Sequence, residues 1–244
     1  LLYGKRNRIG ISSVLGMCAN LSHAIKDLVE ACARNRGNLS PDQAIADVFG
    51  WAIAFANYIP GLPLVGKMAK RYGRDVCTYC GRTQCRCLTN RNGEKKPNEA
   101  TKVTDAVLCM SVADWQLHLE ACYGEKNAIE GSQFCLLRLT CELLEMIEKI
   151  QSFSVSRKRD IGAREDMIAE EVADVLAWTF AVASVHQIKL DNALMDRYGK
   201  RYIGCRPDCF GFFCSCGALL RRQDGMCTFD PLKDDLEVGT VVVE

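Results

Sequence analysis

Apolar residues recur every three or four positions along two segments in the later part of the chain, 136–150 and 165–185. This spacing is typical of amphipathic helices that pack one side against a core. The stripes comprise Leu136, Leu139, Leu143, Ile147 and Ile150 in the first segment, and Ile168, Val172, Val175, Thr179 and Val182 in the second. The pattern therefore predicts two long helices and favours an all-α fold.

Each predicted helix carries two acidic residues three positions apart, beside its apolar stripe. The pairs are Glu142 with Glu145 and Glu171 with Asp174. Residues at this spacing share one side of a helix, so four carboxylates would converge if the helices pack together. Such carboxylates repel one another unless a cation holds them, and oxygen ligands suit magnesium or manganese. The alternative is a pair of ordinary surface helices with solvated acids.

Residues 1–87 repeat, in the same order, the motifs of 121–216. Tyr3-Gly-Lys-Arg-Asn7 matches Tyr123-Gly-Glu-Lys-Asn127, Ile45–Trp51 matches Val172–Trp178, and Arg71-Tyr-Gly73 matches Arg197-Tyr-Gly199. Because the matches keep their order, we predict an internal duplication. The first half would span 1–87 and the second half 111–216, separated by a polar linker at 88–110 and followed by a tail at 217–244. Ser111, with Asp114 three residues later, predicts the N-cap of the helix that follows the linker.

The first half has lost part of the acidic set. Asp27, Glu30 and Asp47 align with Glu142, Glu145 and Asp174. Ala44, however, stands where the second half has Glu171. Losing one carboxylate of four should weaken a divalent-ion site, so the first half is predicted to be pseudo-catalytic. Ser40, followed by proline and then Gln43, still predicts a well-capped helix and a retained fold.

Eight of the fifteen cysteines form two short clusters. These are Cys77, Cys80, Cys85 and Cys87, and then Cys205, Cys209, Cys214 and Cys216. Four thiolates at such spacing suit tetrahedral zinc in a closed, structural site. Two disulfides per cluster, or a zinc knuckle that binds nucleic acid, are the alternatives. Six other cysteines lie in apolar helical patterns and are predicted to pack as small hydrophobic side chains: Cys18, Cys32, Cys109, Cys122, Cys135 and Cys141.

The composition is that of an ordinary globular protein, with 48% hydrophobic and 25% charged residues among 244. A net charge of +1 provides no general attraction to nucleic acid or to an anionic membrane. No apolar run is long enough to span a bilayer, and no secretory signal or P-loop motif is visible. With thiols in clusters rather than in a short disulfide scaffold, this predicts a reducing, cytoplasmic location without a membrane partner.

The ordered motifs of the second half resemble those of the MazG-like all-α nucleotide pyrophosphohydrolases. They are Tyr123-Gly-Glu-Lys-Asn127, Glu142-Leu-Leu-Glu145, Glu171-Val-Ala-Asp174, and Arg197-Tyr-Gly-Lys200 before a cysteine cluster. A single pair of acids three apart is not specific, whereas the whole ordered set is. The resemblance implies two tandem four-helix modules, each followed by a four-cysteine zinc knuckle. It also implies paired modules, either within one chain or in a homo-oligomer.

The same resemblance implies hydrolysis of a nucleoside triphosphate, or its deoxy form, to the monophosphate and pyrophosphate. The four acids would hold magnesium (or manganese) and form the catalytic set. Expected substrate contacts are Lys126, Asn127, Trp178, Arg197 and Lys200. Two other functions fit the same sequence: a nucleotide-sensing or scaffolding protein without turnover, and a nucleic-acid-binding protein that uses the zinc knuckles.

Overall fold

The computed structural model describes residues 14–34, 39–59, 62–77, 80–85, 87, 105–155 and 161–198. Helices account for most of these residues, and no strand occurs among them. They are α1 (Val14–Arg34), α2 (Pro41–Tyr58), α3 (Leu64–Tyr72), α4 (Asp105–Leu108), α5 (Val112–Glu130), α6 (Ser132–Val155), α7 (Ile161–Val185) and α8 (Leu190–Tyr198). The fold is all-α, as the sequence predicts.

Two of the helices begin with the predicted caps. Ser40 and Gln43 form a reciprocal capping box at the start of α2, with hydrogen bonds of 3.3 and 3.2 Å. Ser111 and Asp114 form another at the start of α5, with bonds of 3.1 and 2.8 Å. Each box satisfies backbone N–H groups that the first turn of a helix leaves without a partner.

Four long helices form the centre of the molecule. α1 packs against α2 and α6 against α7, and the two hairpins meet through α1 with α6 and α2 with α7. The predicted stripes face this centre: Leu139, Val172 and Val175 are completely or almost completely buried. Phe49 and Phe180, one from each half, meet edge to face with ring centroids 5.8 Å apart. The two halves therefore share one continuous hydrophobic core.

Two shorter helices cross from one half to the other. α3, at the end of the first half, packs on α7, and α8, at the end of the second half, packs on α2. α5 lies along α7 and also contacts α6 and α8. Each half thus places its last described helix against the acid-bearing helix of the other half.

Part of the predicted linker forms a short helix. This helix is α4, whose Val107 and Leu108 are half-buried against the core. Polar residues 90–97, the Tyr3 motif, Lys200, the second cysteine cluster and the tail at 217–244 lie outside the described residues. Among the helices of the described ranges, none has the length and apolar character needed to cross a membrane.

Candidate active site

Three of the four predicted acids come together where α6 and α7 pack against each other. Glu142, Glu171 and Asp174 each place a carboxylate oxygen within 4.8 Å of the other two. Glu142 and Asp174 are 4% and 5% exposed, and Glu171 is half-buried. Because residues three apart share a side of a helix, Glu171 and Asp174 project together from α7 toward Glu142 on α6. We call these three residues the acidic trio.

Glu145, the fourth predicted acid, is exposed and lies outside the acidic trio. It is nevertheless close enough for its charge to raise the pKa values of Glu142 and Glu171. Its proposed role as a metal ligand stays a prediction.

Burial dominates the electrostatics of the acidic trio. Desolvation raises the pKa values of Glu142 and Glu171, and it raises the pKa of Asp174 to about 7. Arg71 and the hydroxyl of Tyr72 oppose that increase at Asp174, whereas the neighbouring carboxylates of Glu142 and Glu171 add to it. Burial and mutual repulsion therefore disfavour the ionised form of these carboxyl groups. A divalent cation bound between them would favour that form, so the cluster fits such an ion.

The cation beside Asp174 comes from the first half. Arg71 on α3 donates from Nη2 to Asp174 Oδ2 at 2.5 Å, and the Tyr72 hydroxyl donates to Oδ1 of the same carboxylate. Burial raises the pKa of Tyr72 well above its usual value, so the hydroxyl keeps its proton and acts as a donor. Neither residue is among the sequence-predicted site residues, although the Arg71-Tyr-Gly73 repeat marked them.

A second contact extends this pairing by one helical turn. Lys67 Nζ lies 2.9 Å from Glu170 Oε1 and 3.1 Å from Asp166 Oδ2. Lys67 and Arg71 are four residues apart on α3, and Glu170 and Asp174 are four apart on α7, so one side of each helix faces the other. The first half therefore supplies two cationic side chains along the acidic side of α7.

Glu142 has a partner on its own helix. Arg138, one turn earlier, donates from Nη2 to Glu142 Oε1 at 2.7 Å. Its guanidinium also lies over the ring of Trp178, 5.6 Å from the ring centroid, and that ring packs edge to face on Phe134. Trp178 is therefore linked to the acidic trio through Arg138, and its predicted contact with substrate is not tested by this packing.

Arg197 of the second half makes the contact that corresponds to that of Arg71. It donates from Nε and Nη2 to the two carboxylate oxygens of Asp47, at 2.9 and 2.7 Å, and the Tyr198 hydroxyl donates to Oδ1. The structure thus brings Arg197 to the aspartate of the first half and brings Arg71 to Asp174. On α5, Asn127 is buried and Lys126 half-buried, and no hydrogen bond described here joins either side chain to the acidic trio.

The first half has no equivalent of the acidic trio among its described residues. Ala44, which stands in the place of Glu171, is fully buried. Asp27 and Glu30 form exposed ion pairs with Lys26 at 3.7 and 3.3 Å. Near Asp47 there is instead a polar cleft of about 340 Å³, lined by Ser40, Asp42, Gln43, Ala193, Asp196 and Arg197.

The first cysteine cluster is assembled as the spacing predicts. The Sγ atoms of its four residues all lie within 4.8 Å of one another, and those of Cys77 and Cys87 are 4.0 Å apart. Gly81 takes a φ of 67° directly after Cys80, and its N–H donates to the carbonyl of Cys77 at 2.9 Å. The described cysteines are all free thiols, and no disulfide joins the four residues of this cluster in the structure. Four sulfur donors at these distances fit a thiophilic metal.

The helices that build the acidic trio also carry the sequence similarity. Residues 130–210 match the sequence model of the MazG nucleotide pyrophosphohydrolase domain. The matched segment includes Glu142, Glu145, Glu171 and Asp174. No curated protein and no solved structure matches the chain at a significant level. The similarity to this domain therefore lies in the second half and extends over about one third of the chain.

Proposed function

We propose that this protein hydrolyses a nucleoside triphosphate, or its deoxy form, to the monophosphate and pyrophosphate with the help of magnesium. The observation that carries the proposal is the convergence of Glu142, Glu171 and Asp174 inside the matched segment. Burying carboxylates that repel one another destabilises a fold. Perturbed pKa values of this kind cluster at functional sites. Exposed Glu145 is the fourth proposed ligand.

The donor set fits magnesium or manganese because it consists of oxygens alone and its burial favours a compensating cation. An ion held by these residues would neutralise phosphate charge and would make a bound water more acidic. Glu142 or Glu145 is the proposed general base, which would accept the proton of the attacking water. The water oxygen bonds to the α-phosphorus, and pyrophosphate leaves.

We further propose that the first half is a pseudo-catalytic module that pairs with the second half inside one chain. The corresponding contacts of Arg71 with Asp174 and of Arg197 with Asp47 support this pairing. In this arrangement Arg71 and Lys67 lie against the acidic side of α7, and their cationic groups are suited to phosphate oxygens. Lys126, Asn127, Trp178, Arg197 and Lys200 remain proposed substrate contacts.

We also propose that both cysteine clusters hold zinc in a structural role. For the first cluster, the closeness of four sulfur atoms supports this assignment. For Cys205, Cys209, Cys214 and Cys216, it rests on the repeated spacing alone.

Product analysis tests the proposed activity. The full chain is incubated with magnesium and each common ribo- and deoxyribonucleoside triphosphate, and products are separated by anion-exchange chromatography. We expect monophosphate and pyrophosphate in equal amounts from at least one substrate. Glu142→Gln should lower the rate by about 100-fold or more, because it removes a charged oxygen from the metal set.

Asp27→Asn is the matched control, because Asp27 aligns with Glu142 but is about half exposed and lies in the first half. Its rate should stay within about twofold of the wild type. Nucleotide binding without any turnover would instead identify a nucleotide-sensing protein. Equal losses in both variants would remove the acidic trio from the mechanism.

A further inference from the structure

The first cysteine cluster lies immediately after the helix that supplies Arg71 and Tyr72. Four residues separate Tyr72, the last residue of α3, from Cys77. The connection is tightly packed: the N–H of Gly73 donates to the Ala69 carbonyl at 2.9 Å. A Cβ added at Gly73 would come within 2.5 Å of both that carbonyl oxygen and Val107 Cγ1. The position of the cluster therefore constrains the end of α3.

The same cluster is attached to the second half. Cys85 donates its backbone N–H to the carbonyl of Cys122 on α5, at 2.7 Å. The Cys122 side chain is buried together with Cys77 and Cys85, and Tyr123 packs against them. A loop of the first half is thus joined to α5 by a backbone hydrogen bond and by a small buried contact of its own, separate from the main core.

One helical turn earlier, α5 also holds the end of α3 directly. His118 donates from Nε2 to the carbonyl oxygen of Tyr72 at 2.7 Å, and the ring of Trp115 packs edge to face on His118. The segment from Tyr72 to the cluster is therefore held along one side of α5, at His118 and at Cys122.

Four thiols alone are a weak means of attachment. Without a metal, neutral thiols are only weak hydrogen-bond donors and acceptors, so they would hold the loop loosely. A metal held by four sulfurs would instead bind the two ends of the loop rigidly to each other, at the place where the loop meets α5.

We propose that zinc held by Cys77, Cys80, Cys85 and Cys87 clamps the first half to α5 and thereby positions Arg71 and Tyr72 at Asp174. The zinc site then holds the cysteine loop together and also fixes the two residues that contact Asp174 of the acidic trio. This inference rests on the proposed function only where it concerns turnover. The clamp itself is a statement about α3 and can be tested without any nucleotide.

Zinc content and hydrogen exchange of the full-length chain test the clamp. Cys80→Ser should lower the zinc content by about one ion per chain. Amides of α3 should then exchange at least about tenfold faster, while those of α1 and α6 keep their protection. Circular dichroism confirms that the variant remains helical. Removing zinc from the wild type with a chelator and then restoring it should release and restore α3 in the same way, which covers a variant that fails to fold.

Two cysteine variants serve as controls. Cys122→Ala removes a thiol that lies beside the four but outside their 4.8 Å group, so zinc should be retained. Cys109→Ser changes an exposed thiol and should alter neither zinc content nor exchange. Zinc loss without faster exchange in α3, or unchanged zinc content in Cys80→Ser, would overturn the clamp. Release of α3 in a chain that hydrolyses no triphosphate would keep the clamp and refute the proposed activity.

Discussion

Arg71 donates a hydrogen bond to Asp174, 103 residues further along the chain, with 2.5 Å between Nη2 and Oδ2. The corresponding contact joins Arg197 Nη2 to Asp47 Oδ2 at 2.7 Å. In each case the arginine lies on the last described helix of one half and the aspartate lies on a long helix of the other half. Among the residues that the structure describes, only the second half places two further carboxylates beside its aspartate, so two similar contacts lie in chemically different surroundings.

The two tyrosine hydroxyls provide a matched test of that difference. Tyr72→Phe and Tyr198→Phe each remove one hydrogen bond to a carboxylate and should each lower the free energy of unfolding by about 1–2 kcal/mol. Only Tyr72→Phe should also reduce turnover, by roughly tenfold, because only Asp174 belongs to the acidic trio. Urea unfolding and steady-state kinetics separate the two effects. Equal turnover in both variants would show that the Tyr72 hydroxyl does not support the site.

One glycine inside α5 and one directly after it should respond in opposite ways to substitution by alanine. Gly131 ends α5 with a φ of 84°, which an alanine adopts only with strain, so Gly131→Ala should lower the free energy of unfolding by about 1 kcal/mol. Gly124 lies inside α5, where the new Cβ meets only the side chain of exposed Glu120, at 3.0 Å. Gly124→Ala should therefore raise stability by about 0.5–1 kcal/mol. Chemical denaturation measures both, and changes of the same sign would contradict this account of the helix end.

The capping box of α5 should contribute stability that depends on pH. Hydrogen bonds from Ser111 lower the pKa of Asp114 below its ordinary value of 3.8. A lowered native pKa means that the unfolded state binds the proton more readily. The contribution is therefore fully present above about pH 4 and is lost as the pH falls through the native pKa. The deficit of Asp114→Ala relative to the wild type should be constant from pH 8 to 5 and should shrink below about pH 4.

The box at α2 supplies the control for that experiment. It uses the neutral amide of Gln43 in place of a carboxylate. The stability deficit of Gln43→Ala should therefore not change over the same pH range. A deficit of Asp114→Ala that is equally independent of pH would contradict the assigned pKa shift.

Much of the local structure follows from the sequence. The 3.6-residue pattern predicts α6 and α7, and the Ser40 and Ser111 boxes predict where α2 and α5 begin, because these signals depend on neighbouring residues. Three of the predicted acids meet for the same reason, once α6 packs on α7. The structure differs at Cys109, which follows the short α4 and is exposed, because four residues of helix are too few to bury it.

The contacts between the halves could not be predicted in this way. The pattern around Arg197 is the same as that around Arg71, and nothing local indicates that each reaches the aspartate of the other half. Cys122 is buried as a small hydrophobic side chain should be, yet its neighbours come from the first cysteine cluster. Both outcomes depend on how two similar halves pack, which a single helical period does not encode.

A titration of Mn²⁺ binding tests the central claim most directly. Binding is measured as the decrease in the electron paramagnetic resonance signal of the unbound ion. The comparison is between Asp174→Asn and Asp47→Asn, two equivalent substitutions that each leave an arginine and a tyrosine facing a neutral amide. We predict that Asp174→Asn weakens Mn²⁺ binding by about tenfold or more, and that Asp47→Asn stays within about twofold of the wild type. Equal binding by both variants would show that the acidic trio is not the ion site.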